Sequence, residues 1–326
     1  MRTGINPEKL KLEKNLRKFH RIIIPVYIPN LTEEYYKENL RIFEFCLASL
    51  CRTINYETSA ITVLNNNSIP EVTNLINDYL KAGAVDKHVQ FKENRGKVNA
   101  SLSEAKASFE PFITISDADV LFFSGWEKAV FKIFETFPKA GVVSPLPLQN
   151  LAFNNNSSVF FDNFLLRRIK YDKKVSDEDC DLFIKGMGNP ALMWRNKNKY
   201  SWREKQYYIE DQVPAIIGAG HFVATYRREI FKAENPFPDW KFKNGFENIY
   251  FDEPADRLGW YRLSTAEHYA YHIGNKIDEI VKNHKYEEEK KLEVDFISQI
   301  PTPQKSKIPY CLRNFYFRAL KKVMNL

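Results

Sequence analysis

The sequence predicts an α/β fold in which helices pack on a parallel sheet. Two observations carry the prediction. Apolar, β-branched runs such as Ile22-Ile23-Ile24, Ile61-Thr62-Val63-Leu64 and Phe112-Ile113-Thr114-Ile115 have the composition of buried strands. Between them, apolar residues recur at helical spacing. Strands that alternate with helices imply βαβ units with right-handed crossovers, and hence a parallel sheet.

The elements follow in order. Residues 1–20 read as a basic, helical lead-in. Arg21 to Pro29 is a strand that ends in a proline-punctuated loop. Thr32 is placed to cap the next helix, with Glu33 and Glu34 in its first turn and Leu40, Phe43, Leu47 and Leu50 along one face. Ala60 to Leu64 is a second strand running into Asn65-Asn66-Asn67-Ser68, and the helix after it aligns Val72, Leu75, Ile76, Tyr79 and Leu80. Val85 to Phe91 reads as a short third strand and Asn99 to Ser108 as a helix. Residues 145–215 are less regular and rich in Lys, Arg and Trp near 194–205, which suggests an insertion of loops or a flap. Order returns at Ile216 to Tyr226. Beyond Asn275 come a charged helix containing Glu287-Glu288-Glu289-Lys290-Lys291 and a final amphipathic segment from Leu312 to Val323.

Bulk composition narrows the class. A hydrophobic content of 44% against 27% charged residues sets the chain among folded globular proteins, and 326 residues suffice for one large domain with a full core. Lys and Arg outnumber Asp and Glu by 48 to 41, and the resulting +7 favours an anionic partner. No nucleic-acid recognition motif accompanies that charge. The four cysteines (Cys46, Cys51, Cys180, Cys311) show no metal or disulfide spacing and read as reduced, mostly buried thiols. The charged, proline-broken stretch from Met1 to His20 is not a signal peptide pattern, and no apolar run is long enough to span a membrane, so a cytoplasmic protein is expected.

The segment with most chemical content is Phe112 to Phe122, where an apolar strand runs straight into Asp117-Ala118-Asp119. No basic residue adjoins the two carboxylates in sequence. Acidic oxygens at a strand end suit a hard divalent cation, which takes one or two carboxylates and completes its shell with water and phosphate. The bland alternative is a solvated turn. The proline loop after the first strand, the Asn-rich end of the second, Asn94-Arg95-Gly96-Lys97-Val98-Asn99 and this acidic turn come in succession. In a doubly wound sheet they converge on one crevice at the carboxyl ends of the strands.

With those motifs in that order the chain resembles the family 2 glycosyltransferases of GT-A fold. The resemblance also draws on Gly218-Ala219-Gly220, Tyr226 to Phe231, Asp252-Glu253-Pro254 and His272-Ile273-Gly274-Asn275. It spans roughly residues 20–275, and so implies a lead-in at 1–20, a GT-A domain at 21–275 and a basic helical tail at 276–326. The fold it implies is a Rossmann-like, open mixed sheet flanked by helices, with a C-terminal helical extension.

The function implied is metal-dependent, inverting transfer of a sugar from a nucleotide-diphosphate donor, UDP-linked by preference, to a saccharide or lipid-linked acceptor. The setting would be cell-surface polysaccharide or lipopolysaccharide assembly. By the same resemblance Pro25, Tyr27 and Asn66 line the nucleobase and ribose, and Arg95 and Lys97 meet the diphosphate or base. Asp117 faces the ribose or reaches the metal through water. Asp119 and His272 ligate Mn²⁺ or Mg²⁺. Asp252 or Glu253 is the base, since the acceptor oxygen must lose a proton as it attacks. Pro254 directly after them also permits a plain helix-cap role. Trp240 and Trp260 fit either an acceptor platform or the core.

Other classes remain open at this point. A sugar nucleotidyltransferase needs a glycine-rich basic loop after the first strand, where this chain has Ile28-Pro29-Asn30-Leu31-Thr32. A non-catalytic glycan-binding or scaffold protein keeps the fold without the metal. The terminal helix, with its apolar stripe and basic face, suits peripheral contact with the inner face of a membrane, or simply a helix packed on the core.

Overall fold

A computed structural model describes residues 4–6, 18–195, 199–232, 236–243, 246–285 and 292–324. Most of the lead-in, and the charged run at 287–291, lie outside them. The first part alternates strictly: β1 (His20–Val26), α1 (Asn39–Thr53), β2 (Ser59–Asn65), α2 (Pro70–Lys81), β3 (Lys87–Gln90), α3 (Lys97–Ala107) and β4 (Phe112–Ser116). Next come β5 (Val120–Phe122), α4 (Trp126–Thr136), β6 (Ala140–Ser144), α5 (Ser157–Asn163), β7 (Lys170–Asp172) and α6 (Asp177–Met187). The short pair β8 (Trp194–Arg195) and β9 (Tyr200–Ser201) precedes β10 (Gln206–Glu210), β11 (Pro214–Ile217) and β12 (Val223–Arg227). After α7 (Glu229–Lys232), a π-helical turn (Asn248–Asp252) leads into α8 (Glu253–Arg257), β13 (Tyr261–Ser264), β14 (Ala270–His272), α9 (Glu279–Lys282) and α10 (Tyr310–Val323).

Ten strands form one sheet in the order β3-β2-β1-β4-β12-β6-β13-β11-β10-β7. β1, β2, β3 and β4 are parallel, as their alternation with helices predicts. β12 enters antiparallel to both β4 and β6, which makes the sheet mixed. β1, β2 and β4 are almost wholly buried, because helices cover both faces; their runs are therefore continuous and apolar rather than alternating. The strand order reverses between β1 and β4, and such a switch point opens a crevice at the carboxyl ends of the strands.

Two local expectations change. Thr32 does not cap α1. The Asn30 side chain instead accepts the amide hydrogens of Thr32 and Glu33, residues 31–38 form turns, and the helix begins at Asn39. The stretch 145–215 is also more regular than a loop insertion. It supplies α5, α6 and the strands β7, β10 and β11, which extend the main sheet at one edge.

α10 is fixed to this body. Phe317 packs against Phe160 and Phe153, with ring centroids 5.2 and 6.3 Å away. Arg313, 1% exposed, donates to the carbonyls of Ile308, Asp256 and Arg257. The helix is thus packed on the core, and no helix among the described residues is long and apolar enough to cross a membrane. All four cysteines are free thiols; Cys46 and Cys180 are buried, whereas Cys311 is exposed.

Candidate active site

The crevice at the switch point is a cavity of about 300 Å³ between the end of β1 and the turn after β4. Pro25 and Tyr27 form one wall, Asp117 and Asp119 another, and Tyr35 and Tyr36 rise from the turns before α1. Tyr35 and Tyr36 meet edge to face at 5.0 Å, so three phenol rings surround the mouth. Tyr35 and Tyr36 had no sequence signal, because they sit where a helix was expected.

Asp117 and Asp119 leave the strand in different company. The Asp117 amide bonds the Phe222 carbonyl at 2.7 Å, which ties the acidic turn to β12. Its Oδ1 lies 2.5 Å from Lys97 Nζ. Asp117 therefore has the cation that the adjacent sequence lacks, delivered from the first turn of α3. Burial pulls the Lys97 ammonium down, but Asp117 and Glu247 outweigh it and leave its pKa raised.

Asp119 is matched differently. β5 and β14 pair with His272 opposite Val120, and the Ile273 amide bonds the Asp119 carbonyl at 2.8 Å. This ladder sets His272 Nε2 3.4 Å from Asp119 Oδ2. The other ring nitrogen, Nδ1, faces the Gly186 carbonyl at 3.0 Å. A carbonyl only accepts, so the proton of a neutral ring resides on Nδ1 and the Nε2 lone pair is turned to the carboxylate. The Asp119 side chain is 30% exposed overall, yet Oδ1 is sealed from solvent and has no hydrogen-bond partner. Burial raises its pKa to about 6; His272 opposes the rise, Asp117 adds to it and Lys97 opposes it.

Two acceptors facing each other beside a sealed carboxylate oxygen are what a divalent cation would satisfy. Among the described residues no three His, Cys, Asp or Glu side chains gather as a metal cage. The pair fits the kind of site in which two protein ligands are completed by water and phosphate.

Asn66 and Arg95 are placed otherwise. Asn66, buried, spends its amide on Asn94 Oδ1 and its oxygen on the Arg95 amide, both at 2.8 Å, and so pins the loop that leads into α3. The Arg95 guanidinium lies exposed over the Phe91 ring, 4.9 Å from its centroid. Gly96 adopts φ +78°, and a Cβ there would come within 2.2 Å of the Lys241 carbonyl, so only glycine fits beneath that segment.

A second cavity, of about 460 Å³, holds Asp252. Asp252 precedes α8 without capping it. Its Oδ2 is 3.1 Å from His221 Nδ1, and its Oδ1 is 2.9 Å from Arg262 Nη2. Arg262, 1% exposed, also donates to the carbonyls of Asn154 and Ala219. Glu253 instead points to Arg257 on the outer side of α8, an i,i+4 pair at 2.6 Å. Lys97, which lines the first cavity, reaches the carbonyl of His221, which lines the second, at 3.4 Å. His221 and Arg262 are absent from the sequence-based candidates; the signal for His221 was its place after Gly218-Ala219-Gly220. Trp260 is buried in the core, whereas Trp240 is 70% exposed.

Residues 26–233 match the family described as Glycosyl transferase family 2, well over half of the chain. No curated protein matches the sequence. Among solved structures, the mannosyltransferase PcManGT from Pyrobaculum calidifontis in complex with GDP-Man and Mn²⁺ is 14% identical with a TM-score of 0.42, over 77% of this chain and 55% of that one. S. aureus TarS 1-349 is 11% identical with a TM-score of 0.46, over 77% and 59%. The same protein in complex with UDP-GlcNAc is 11% identical with a TM-score of 0.43, over 82% and 61%. The chain thus spans little more than half of these structures. The family match takes in Tyr27, Asn66, Arg95, Lys97, Asp117 and Asp119, and leaves out Pro25, Asp252 and His272. By that match, over a mixed sheet of the GT-A kind, the chain belongs to glycosyl transferase family 2.

Proposed function

We propose that the chain transfers a glycosyl group, with inversion, from a nucleoside-diphosphate sugar to an acceptor hydroxyl, and that the transfer depends on Mn²⁺ or Mg²⁺. The observation that carries this is the apposition of His272 Nε2 and Asp119 at the edge of the switch-point crevice. Pro25 and the rings of Tyr27 and Tyr35 offer the nucleobase a stacking wall, and a UDP donor is favoured. Asn66 acts by holding the loop that carries Arg95 and Lys97 toward the diphosphate. Asp119 and His272 would hold the cation, with Asp117 beside them for the ribose or a bridging water. When bound, such a cation supplies the positive charge that a departing diphosphate requires.

Asp252 is the base in this scheme. It takes the proton of the acceptor hydroxyl as the new C–O bond forms and the bond from the anomeric carbon to the diphosphate oxygen breaks. Arg262 fixes one oxygen of that carboxylate and His221 the other, so it is held in one orientation without being consumed by a helix cap. Glu253, committed to Arg257, is the weaker candidate.

The setting proposed is cell-surface polysaccharide or lipopolysaccharide assembly at the inner face of a membrane, with a saccharide or lipid-linked acceptor. Support comes from α10, whose outer face exposes Leu312 (56%), Phe315 (75%) and Val323 (81%) beside Lys322. A thermal-shift screen of nucleotide sugars with and without Mn²⁺ tests the donor scheme. A ligand that binds only the folded state raises the melting temperature by mass action. UDP-sugars should stabilise the protein with Mn²⁺ and much less without it; equal shifts in both conditions overturn the metal dependence.

A further inference from the structure

We infer that the acceptor carries an acid group, a phosphate or a carboxylate, and that α10 binds it through Arg318 and Lys321. This rests on Asp252 being the base, and it deepens that scheme by naming the acceptor's class.

The argument starts from the walls of the second cavity. The segment 151–155 before α5, the π-helical turn and α10 line it, so the candidate base and the terminal helix share one cavity. Its acids already have partners. Asp252 pairs with Arg262, and Asp256 accepts four hydrogen bonds from the amides and hydroxyls of Ser157 and Ser158. Its cations on α10 are Arg318 and Lys321. Arg318 has no ion-pair or hydrogen-bond partner among the described residues. Lys321 donates to the Phe153 carbonyl at 3.2 Å and lies over the Phe317 ring, but has no anionic partner among the described residues.

Arg318 and Lys321 are three residues apart and therefore share one helix face. That face is held in place, because Arg313 and Phe317 dock the helix. Two fixed cations over a cavity attract an anion, and charge-assisted bonds from such groups are the strong ones. The remaining lining suits a polyol. Asn155 and Asn248 bond each other at 2.6 Å across the wall, while the side-chain amides of Asn154 and Asn314 have no partner among the described residues. Arg262 Nε, buried in the same wall, also has none. Amide donors and acceptors beside Tyr310 and Phe317 are the chemistry of sugar recognition. An acceptor seated here with its acid group at Arg318 and Lys321 would present a hydroxyl at Asp252.

The test is calorimetric titration of the full chain with glucose 6-phosphate, glucuronate and neutral glucose, for the wild type and for Arg318→Gln/Lys321→Gln. The same proteins are sedimented with phosphatidylglycerol–phosphatidylcholine vesicles. We expect an acidic probe to bind better than glucose, and the double substitution to weaken it by about tenfold or more, as loss of charged hydrogen bonds implies. Arg318→Lys with Lys321 kept should restore part of that binding, which separates charge from folding. If vesicle binding falls in the double variant, the acid group belongs to a lipid-linked acceptor; if only glucose 6-phosphate or glucuronate binding falls, it belongs to a soluble one. No difference between wild type and double variant for any acidic probe or vesicle overturns the inference. UDP with Mn²⁺ is titrated in parallel: failure of the wild type to bind it would count against the donor scheme and leave the acceptor result standing.

Discussion

His272 Nε2 stands 3.4 Å from Asp119 Oδ2, and the Gly186 carbonyl holds the ring proton on the far nitrogen. The two acceptors are brought together by the β5–β14 ladder, which the chain closes only after some 150 residues of intervening sequence. Without a cation between them the Asp119 carboxylate bears the cost of its burial and of Asp117 beside it, only partly offset by His272 and Lys97. That cost is measurable.

Asp119→Asn should stabilise the metal-free protein near neutral pH. The folded-state pKa is about 6 against an ordinary 3.8. The folded protein therefore holds a proton that the unfolded chain has released between those values, and stability falls as pH rises through that window. Above it the ionised carboxylate costs up to about 3 kcal/mol, and removing the charge recovers about 1–3 kcal/mol. Calorimetric melting in the presence of chelator should show a higher melting temperature for the variant near neutral pH. The gain should shrink toward zero as the pH approaches 4.

Lys97→Ala leaves Asp117 beside Asp119 with no adjacent ammonium. We expect a loss of about 1–3 kcal/mol, since removing one partner of a partly buried pair strands the other. Lys97→Ala/Asp117→Ala should recover part of it. A double-mutant cycle in urea measures the coupling, and additive losses would mean the 2.5 Å pair contributes nothing.

Asp252→Asn and Glu253→Gln should separate cleanly. Loss of a general base lowers turnover by about 10²–10⁴-fold, so the first should be severe. The second breaks an exposed i,i+4 pair with Arg257 and should cost only about 0.3–0.5 kcal/mol of stability, with turnover kept. The reverse ranking would move the base to Glu253.

Phe317→Ala should destabilise the whole fold by about 3 kcal/mol, because the buried ring packs against Phe153 and Phe160 in the core. Denaturant unfolding should remain a single transition. A separate, earlier transition for the terminal helix would show that α10 is an appendage.

β1, β2 and β4 were legible because buried parallel strands are continuous apolar runs and the helices between them repeat at their own period. The order of motifs singled out Asp119 and His272 as a pair, and the structure sets them 3.4 Å apart. What the sequence hid was set by distance along the chain. Lys97 is the counter-charge of Asp117 from twenty positions upstream, and only the β1–β4 and β4–β12 registers bring α3 and the acidic turn together. His221 reaches Asp252 from the loop between β11 and β12, and Arg262 from β13. The strands β7 and β10 escaped detection for a local reason: they are short, and Lys, Asp, Gln and Glu break their apolar pattern.

The most direct test of the central claim is a titration of Mn²⁺, followed by the electron paramagnetic resonance of the free ion, in the presence of UDP. Wild-type protein should remove the free-ion signal, Asp119→Asn should leave it unchanged from the protein-free control, and His272→Gln should restore most of it. Uptake of Mn²⁺ by Asp119→Asn equal to that of the wild type would contradict the account.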